Sequence, residues 1–191
     1  MIAGAGAAVR LSLLVLVAVV AQVSGLASIR VLGSVADIIP LVVAAVGLWG
    51  GATAGAGTGF AAGLLFDAAL GHNLGVSSLV LTTVGYGTGR FGEVRDPAHG
   101  LIAIPVGAGA TLGYLTAYGF VSFMLEIDAA VSALVFRDAV VTTLLNALLA
   151  IPVFGIVKRI LRPVLTSEPG GRRRRSEPRA TGPLGLRGLE V

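Results

Sequence analysis

A few charged residues lie within long, otherwise apolar stretches. The side chains most able to do chemistry are Asp37, Asp67 and Arg137, with Asp138 beside Arg137. Paired carboxylates can share acid and base work, but catalysis also needs a nucleophile or a proton relay. No hydroxyl, His or Lys converges on either Asp in the sequence pattern, so we expect no catalytic residue. Because isolated charges are costly in an apolar environment, we expect a polar layer that joins Arg137 to Asp67 or Asp37. Snorkelling of these side chains to a polar interface is the alternative.

Metal and cofactor sites are not indicated by the residue types. The chain has no Cys and two His, which excludes thiolate chemistry, Cys-ligated metals and a His-rich centre. His72 has only Asp67 nearby, and a histidine in a surface turn is the commoner interpretation. The glycine-rich string over residues 55–59 is no phosphate-binding loop, because no strand precedes it and no Lys-Ser/Thr follows it. We expect no cofactor and no metal.

The composition is typical of an integral membrane protein. Of 191 residues, 55% are hydrophobic and 13% are charged, and the mean hydropathy is +0.91. A water-soluble domain carries roughly a quarter charged residues, so about half of the usual charged surface is missing. Since about 20 apolar helical residues cross a bilayer, the runs between charges predict an all-α fold with six transmembrane helices.

These six spans can be placed along the chain. The region 31–71 is too long for one crossing, and a turn near Gly50 and Gly51 divides it into two. A polar loop over residues 90–100 separates the fourth span from the fifth. The predicted spans are 11–29, two within 31–71, one within 68–89 after the turn at 71–73, 101–125 and 131–157.

Charge asymmetry orients these spans and separates a tail. Residues 1–157 carry five Arg and seven acidic residues, a net charge of −2, whereas residues 158–191 carry nine Lys and Arg and three Glu, a net charge of +6. By the positive-inside rule both termini are cytoplasmic, which places the expected polar layer in the outer leaflet. We expect a membrane body over residues 1–162 and a basic, disordered cytoplasmic tail over residues 163–191. The tail has no interleaved aromatic residues, which disfavours nucleic acid and favours anionic lipid.

Glycine recurs at every fourth position in the third span. Residues spaced by four lie near one helical face, and glycines there let two helix backbones approach closely. The pattern leaves open whether this face packs within the chain or against a partner. The predicted helix-packing residues are Gly51, Gly55, Gly59 and Gly63.

The end of the third span carries the most specific string in the sequence. It reads GFAAGLLFD over residues 59–67 and is followed by GHNLG over residues 71–75, with Tyr86 in the next span. This string resembles the rod shape-determining MreD family, and the likeness extends over about residues 11–162.

Other positions fit the same family. Gln22 lies in an otherwise apolar first span, Asp37 precedes the second, and Asn146 lies in the last span before Pro152. Ala36 departs from the family, which commonly has Pro before that Asp. We expect Gln22, Tyr86 and Asn146 to be polar positions within the membrane.

The resemblance implies a non-catalytic subunit of the machinery that inserts peptidoglycan along the side wall of rod-shaped bacteria. Family members act in the inner membrane with MreC, a membrane-anchored periplasmic protein, and in one complex with the MreB filament, the polymerase RodA and its transpeptidase. The layer of Asp37, Asp67 and Arg137 would then be a partner interface. The family body is similar to the substrate-binding subunit of energy-coupling-factor transporters, although a shared fold does not transfer function.

The main alternative is a subunit of a membrane transporter that binds a small vitamin. Such a site needs several polar groups that converge on one pocket. The chain offers few within its spans, mostly Thr with Gln22, Tyr114 and Asn146, and these suit hydrogen bonds between helices. Purification from the native membrane would separate the two hypotheses by what is recovered, a vitamin or a periplasmic coiled-coil protein.

Overall fold

The computed structural model describes residues 5–25, 30–31, 33–71, 73–95, 102–125 and 133–165. Within these residues the fold is a bundle of six helices, which confirms the expected helix count. The turn between the second and third helices falls at Gly51, as the sequence predicted. The helices are α1 (Ala5–Ser24), α2 (Ile38–Gly50), α3 (Ala52–Leu70), α4 (Val76–Val94), α5 (Ala103–Met124) and α6 (Ala133–Leu165).

Several boundaries differ from the predicted spans. α1 ends at Ser24 rather than near residue 29. α4 continues to Val94, so the first half of the predicted polar loop is helical. α6 runs to Leu165, past the expected edge of the membrane body. A helix continues through charged residues because its backbone hydrogen bonds do not depend on an apolar environment. Residues 166–191, nearly all of the predicted tail, lie outside the described residues.

A short antiparallel hairpin before α2 is the one departure, among the described residues, from an all-α chain. Strands β1 (Arg30–Val31) and β2 (Ser34–Val35) pair Arg30 with Val35 and Val31 with Ser34. Gly33 lies in the connecting turn with a φ of 90°, a conformation that favours glycine. Two residues per strand leave no periodic pattern in the sequence, so the hairpin was not predictable from it.

The helix α2 forms the centre of the bundle, since it contacts each of the other five helices. Ten of its 13 residues are buried. At 1.5 Å per residue it is about 20 Å long, shorter than the ~30 Å hydrocarbon core of a bilayer. A crossing at this position therefore also requires the non-helical residues 34–37, whose backbone groups must find partners inside the protein.

The bundle exposes large apolar side chains and buries polar ones. Leu13, Phe136 and Leu148 are exposed, whereas Asp67 and Asn146 have no exposed surface. Such a surface is unfavourable in water and suits contact with lipid tails. The arrangement agrees with the membrane class that the composition indicated.

The hydropathy of the six helices varies more than the apolar character of the outer surface does. Among the described residues, one helix is long and apolar enough to count as a span, Val135–Arg162, and two shorter apolar helices cover Ala8–Ser24 and Ile38–Gly50. α3, α4 and α5 are rich in Gly, Ser and Thr, which lowers their hydropathy while allowing close packing. The six crossings expected from the sequence therefore remain a prediction.

Candidate functional site

The non-helical segment before α2 is held first by the amide of Gln22 on α1. Gln22 Nε2 donates to the carbonyl oxygen of Ala36 at 3.1 Å, and Gln22 Oε1 accepts from the backbone N–H of Ile38 at 3.0 Å. The side chain thus pairs with one acceptor and one donor of the backbone, as a neighbouring strand would. Gln22 is itself buried, so these bonds satisfy both the amide and the backbone without water.

Asn146 on α6 makes the same kind of contact one residue along. Its Oδ1 accepts from Asp37 N at 3.1 Å, and its Nδ2 donates to Asp37 O at 2.7 Å and to Thr111 Oγ1 at 2.9 Å. Thr111 on α5 donates in turn to the carbonyl of Gly107 at 2.9 Å. We call Gln22, Thr111, Asn146 and the backbone of residues 36–38 the amide cluster. It joins α1, α5 and α6 to the start of α2.

A second row of contacts fastens the hairpin to α6. Asp138, Thr142 and Asn146 are spaced by four and share one face of α6. Ser34 Oγ donates to Asp138 Oδ1 at 2.6 Å, and Thr142 Oγ1 donates to the carbonyl of Val35 at 3.2 Å. Asp138 and Thr142 were recognised from the sequence as polar positions but were given no partner, although their spacing to Asn146 was a signal that they share its face.

Asp37 acts as the N-cap of α2. Its Oδ1 accepts from Ile39 N at 3.2 Å, which satisfies one of the free N–H groups at the helix start. Asp37 thus has a local role that the sequence analysis did not assign.

Asp67 closes the turn between α3 and α4. Its Oδ2 accepts from Gly75 N at 2.9 Å and from Ser77 N at 3.2 Å, so the carboxylate caps the start of α4. A negative charge is stabilised at this position by the free N–H groups and the helix dipole. Gly71 ends α3 in the left-handed conformation with a φ of 66° and donates its N–H to Asp67 O. The string from Gly59 to Gly75 therefore encodes the tight turn of a helical hairpin formed by α3 and α4.

The polar layer expected from Asp37, Asp67 and Arg137 stays a prediction. The hydrogen bonds of the Asp37 and Asp67 carboxylates go to backbone N–H groups of their own segments. Arg137 lies on the exposed side of α6. Capping gives each carboxylate the favourable partners that the sequence analysis expected Arg137 to supply. The use of this polar layer as a partner interface is likewise a prediction.

The glycine stripe of α3 faces α4. A Cβ added to Gly55 would overlap the carbonyl of Gly85, and one added to Gly59 would overlap the carbonyl of Leu81. Gly63 meets the backbone of Ser78 in the same way. The two backbones are therefore in direct contact, and the question left open by the pattern is answered for these three positions: they pack within the chain.

Gly51 has a different environment from the other three. It lies between α2 and α3 with a φ of 86°, so it is required by the turn. Glu93 near the end of α4 reaches this turn, and its Oε1 accepts from Ala52 N at 2.9 Å while its Oε2 pairs with Arg90 at 2.8 Å. Glu93 thus caps α3, a role that the sequence analysis missed because it assigned the residue to a loop.

The remaining predicted polar positions divide between interior and surface. Gln22 and Asn146 are buried in the amide cluster. Tyr86 lies on an outward face of α4 with 53% of its surface exposed.

The buried polar clusters inside an apolar outer surface define the class: an all-α membrane protein whose polar side chains serve to join its own helices. A comparison with protein-family models matches residues 5–163 to the rod shape-determining protein MreD. Because the match covers most of the chain, this protein belongs to the MreD family, and the resemblance seen in the sequence is confirmed. Members of this family are membrane proteins with a role in determining rod shape. No curated protein and no solved structure gives a significant match.

Proposed function

We propose that the chain is a non-catalytic scaffold subunit of the bacterial wall-elongation complex and supports peptidoglycan synthesis along the side wall. The family match over residues 5–163 is the observation that carries this proposal. The expected partners are an MreC-like periplasmic protein with a membrane anchor, an MreB-like filament, a RodA-like polymerase and its transpeptidase. We also propose that the six-helix body has the fold of the substrate-binding subunit of energy-coupling-factor transporters.

The proposed topology has six crossings in the inner membrane with both termini in the cytoplasm. It is supported by the basic residues near the ends of helices assigned to the cytoplasmic side: Arg10, Arg90, Arg95, Lys158, Arg159 and Arg162. Lys158 lies 4.2 Å above the ring of Trp49, so its stem is held against the bundle. A reporter active only in the periplasm should be silent when fused after Arg162 and active when inserted within residues 126–130. The reverse pattern would contradict the topology.

The geometry favours a rigid body over a binding cage. The amide cluster uses Gln22 and Asn146 on the protein's own backbone, and the hydroxyls of Thr58 and Thr111 donate to carbonyls of their own helices. Polar groups so engaged are not available to recognise a ligand. A scaffold needs this property, because its outer surface must keep one shape while several partners bind.

Two grooves on the bundle are lined mainly by apolar and small side chains. One of about 550 Å³ lies between α1 and α3, and its polar lining comes from Glu93 and the hydroxyls of Ser12, Thr53 and Thr58. The other, of about 520 Å³, lies between α4 and α5 and is lined by small side chains including Gly87 and Gly109. Neither resembles a cage for a polar vitamin, which weighs against the transporter alternative.

Recovery of partners tests this proposal. The chain, tagged and solubilised in mild detergent from a rod-shaped host, should bring down an MreC-like periplasmic protein. A matched preparation of an unrelated six-helix membrane protein, carrying the same tag, controls for non-specific capture. Recovery of a bound vitamin in place of the periplasmic protein would favour the transporter alternative and refute the scaffold.

A further inference from the structure

Two oxygen atoms beside the start of α4 are buried without a hydrogen-bond partner. They are Asp67 Oδ1 and Ser77 Oγ, and neither residue has any exposed surface. The other carboxylate oxygen, Asp67 Oδ2, is occupied by the N–H groups of Gly75 and Ser77. The capping role of Asp67 therefore accounts for one of its two oxygens.

The surroundings of this pair are rich in oxygen. The Tyr114 side chain on α5 lies close to Ser77 and within electrostatic range of both Asp67 and Asp37. Tyr114 is 5% exposed, and its ring packs 5.8 Å from that of Tyr118. The site thus combines a carboxylate oxygen from the last turn of α3 with hydroxyl oxygens from the start of α4 and the middle of α5.

An unpartnered carboxylate oxygen in the interior is costly, because burial removes the water that would solvate its charge. The helix dipole and two N–H groups stabilise Oδ2, but they leave Oδ1 with unsatisfied acceptor capacity. Oxygen donors of this kind suit hard cations. A divalent ion usually takes several carboxylates, and the described residues contain no group of three His, Cys, Asp or Glu. A cation with a single positive charge would neutralise the single carboxylate of Asp67.

We propose that Asp67 Oδ1 and Ser77 Oγ, with the Tyr114 hydroxyl beside them, bind a small monovalent cation. The bound ion would neutralise the buried carboxylate and connect α3, α4 and α5 near the turn that Asp67 closes. This inference concerns the interior of the protein and is independent of which partner binds outside.

The test is the thermal stability of the full chain in detergent at one pH and one ionic strength. Separate samples contain about 150 mM Na⁺, Li⁺, K⁺ or N-methylglucamine, an organic cation too large for the site. Because a ligand that binds only the folded state raises its melting temperature, at least one small cation should raise it by about 3 °C or more over N-methylglucamine. Equal melting temperatures in all four would overturn the proposal and leave a proton or a water as the occupant.

Three variants separate this site from general effects of salt. Ser77→Ala removes a proposed ligand but keeps the backbone N–H that Asp67 needs, so this variant should fold and lose the cation-dependent shift. Asp67→Asn should lose it as well. Thr83→Ala is the matched control, since Thr83 is an exposed α4 residue whose hydroxyl donates to Leu79 O. It should keep the full shift. A shift that persists in Ser77→Ala, or that vanishes in Thr83→Ala, would contradict the assignment.

Discussion

A pair of glycines two residues apart on α3 allows a sharp test of the helix interface. Gly59→Ala places a Cβ 2.6 Å from the carbonyl carbon of Leu81 and 2.9 Å from Thr82 N. These are backbone atoms, which cannot rotate away, and ordinary contacts of a Cβ begin at about 3.4 Å. α3 and α4 must therefore separate by roughly 1 Å. Overpacking of this kind costs about 1–3 kcal/mol.

The matched control is Gly57→Ala on the same helix. A Cβ at Gly57 meets no atom within 4 Å. Replacement of an exposed helical Gly by Ala gains up to about 1 kcal/mol in helix propensity. We therefore expect opposite signs from one chemical change, with Gly59→Ala destabilising and Gly57→Ala neutral or stabilising.

The assay is the melting temperature of each purified variant in detergent, together with its amount in the membrane. On α4, Gly85→Ala and Gly87→Ala form a second pair with the same contrast, since Gly85 meets Gly55 O and Gly87 meets nothing within 4 Å. Equal melting temperatures for the two members of both pairs would refute the direct backbone contact between α3 and α4.

Two further predictions concern the polar clusters. Asn146→Ala should destabilise the protein by about 2–4 kcal/mol, because three hydrogen bonds are lost. In a double-mutant cycle, Gln22→Ala should couple with Asn146→Ala by at least about 0.5 kcal/mol. Additive losses would show that the two amides hold the segment independently. Asp67→Asn should lower the free energy of unfolding by about 1–2 kcal/mol, because it weakens the cap of α4. This loss should add to that of Arg137→Gln in the double variant. Strong coupling between the two losses would instead support the ion pair expected from the sequence.

The sequence predicted the bundle better than it predicted the site. Apolar runs located six helices because both the lipid-facing and the helix-packing sides of a membrane helix carry few charges, which leaves long apolar stretches between the loops. The spacing of Gly55, Gly59 and Gly63 predicted close packing, since small residues spaced by four have few other uses in a membrane helix. The family was recognisable for a related reason, as the string after Gly59 encodes a turn with strict backbone requirements.

The partners of the charged residues could not be read from the sequence. Asp37 and Asp67 looked like members of an ion pair because isolated charges in apolar segments call for a counter-charge. The structure gives each of them backbone N–H donors at a helix start, and because every residue except Pro carries such a donor, residue types do not reveal which donor a carboxylate meets. Glu93 was missed for the same reason, since its partner is the N–H of Ala52.

Restoration of rod shape is the most direct test of the central claim that this chain acts as a structural member of the wall-elongation machinery. A rod-shaped host depleted of its own family member should become round, and expression of this chain should return the cells to rods of normal width. Gly57→Ala should restore shape as the wild type does, and Gly59→Ala should fail in proportion to its loss of stability. Cells that stay round, although wild-type protein reaches the membrane at normal levels together with the partner proteins of its own organism, would contradict the claim.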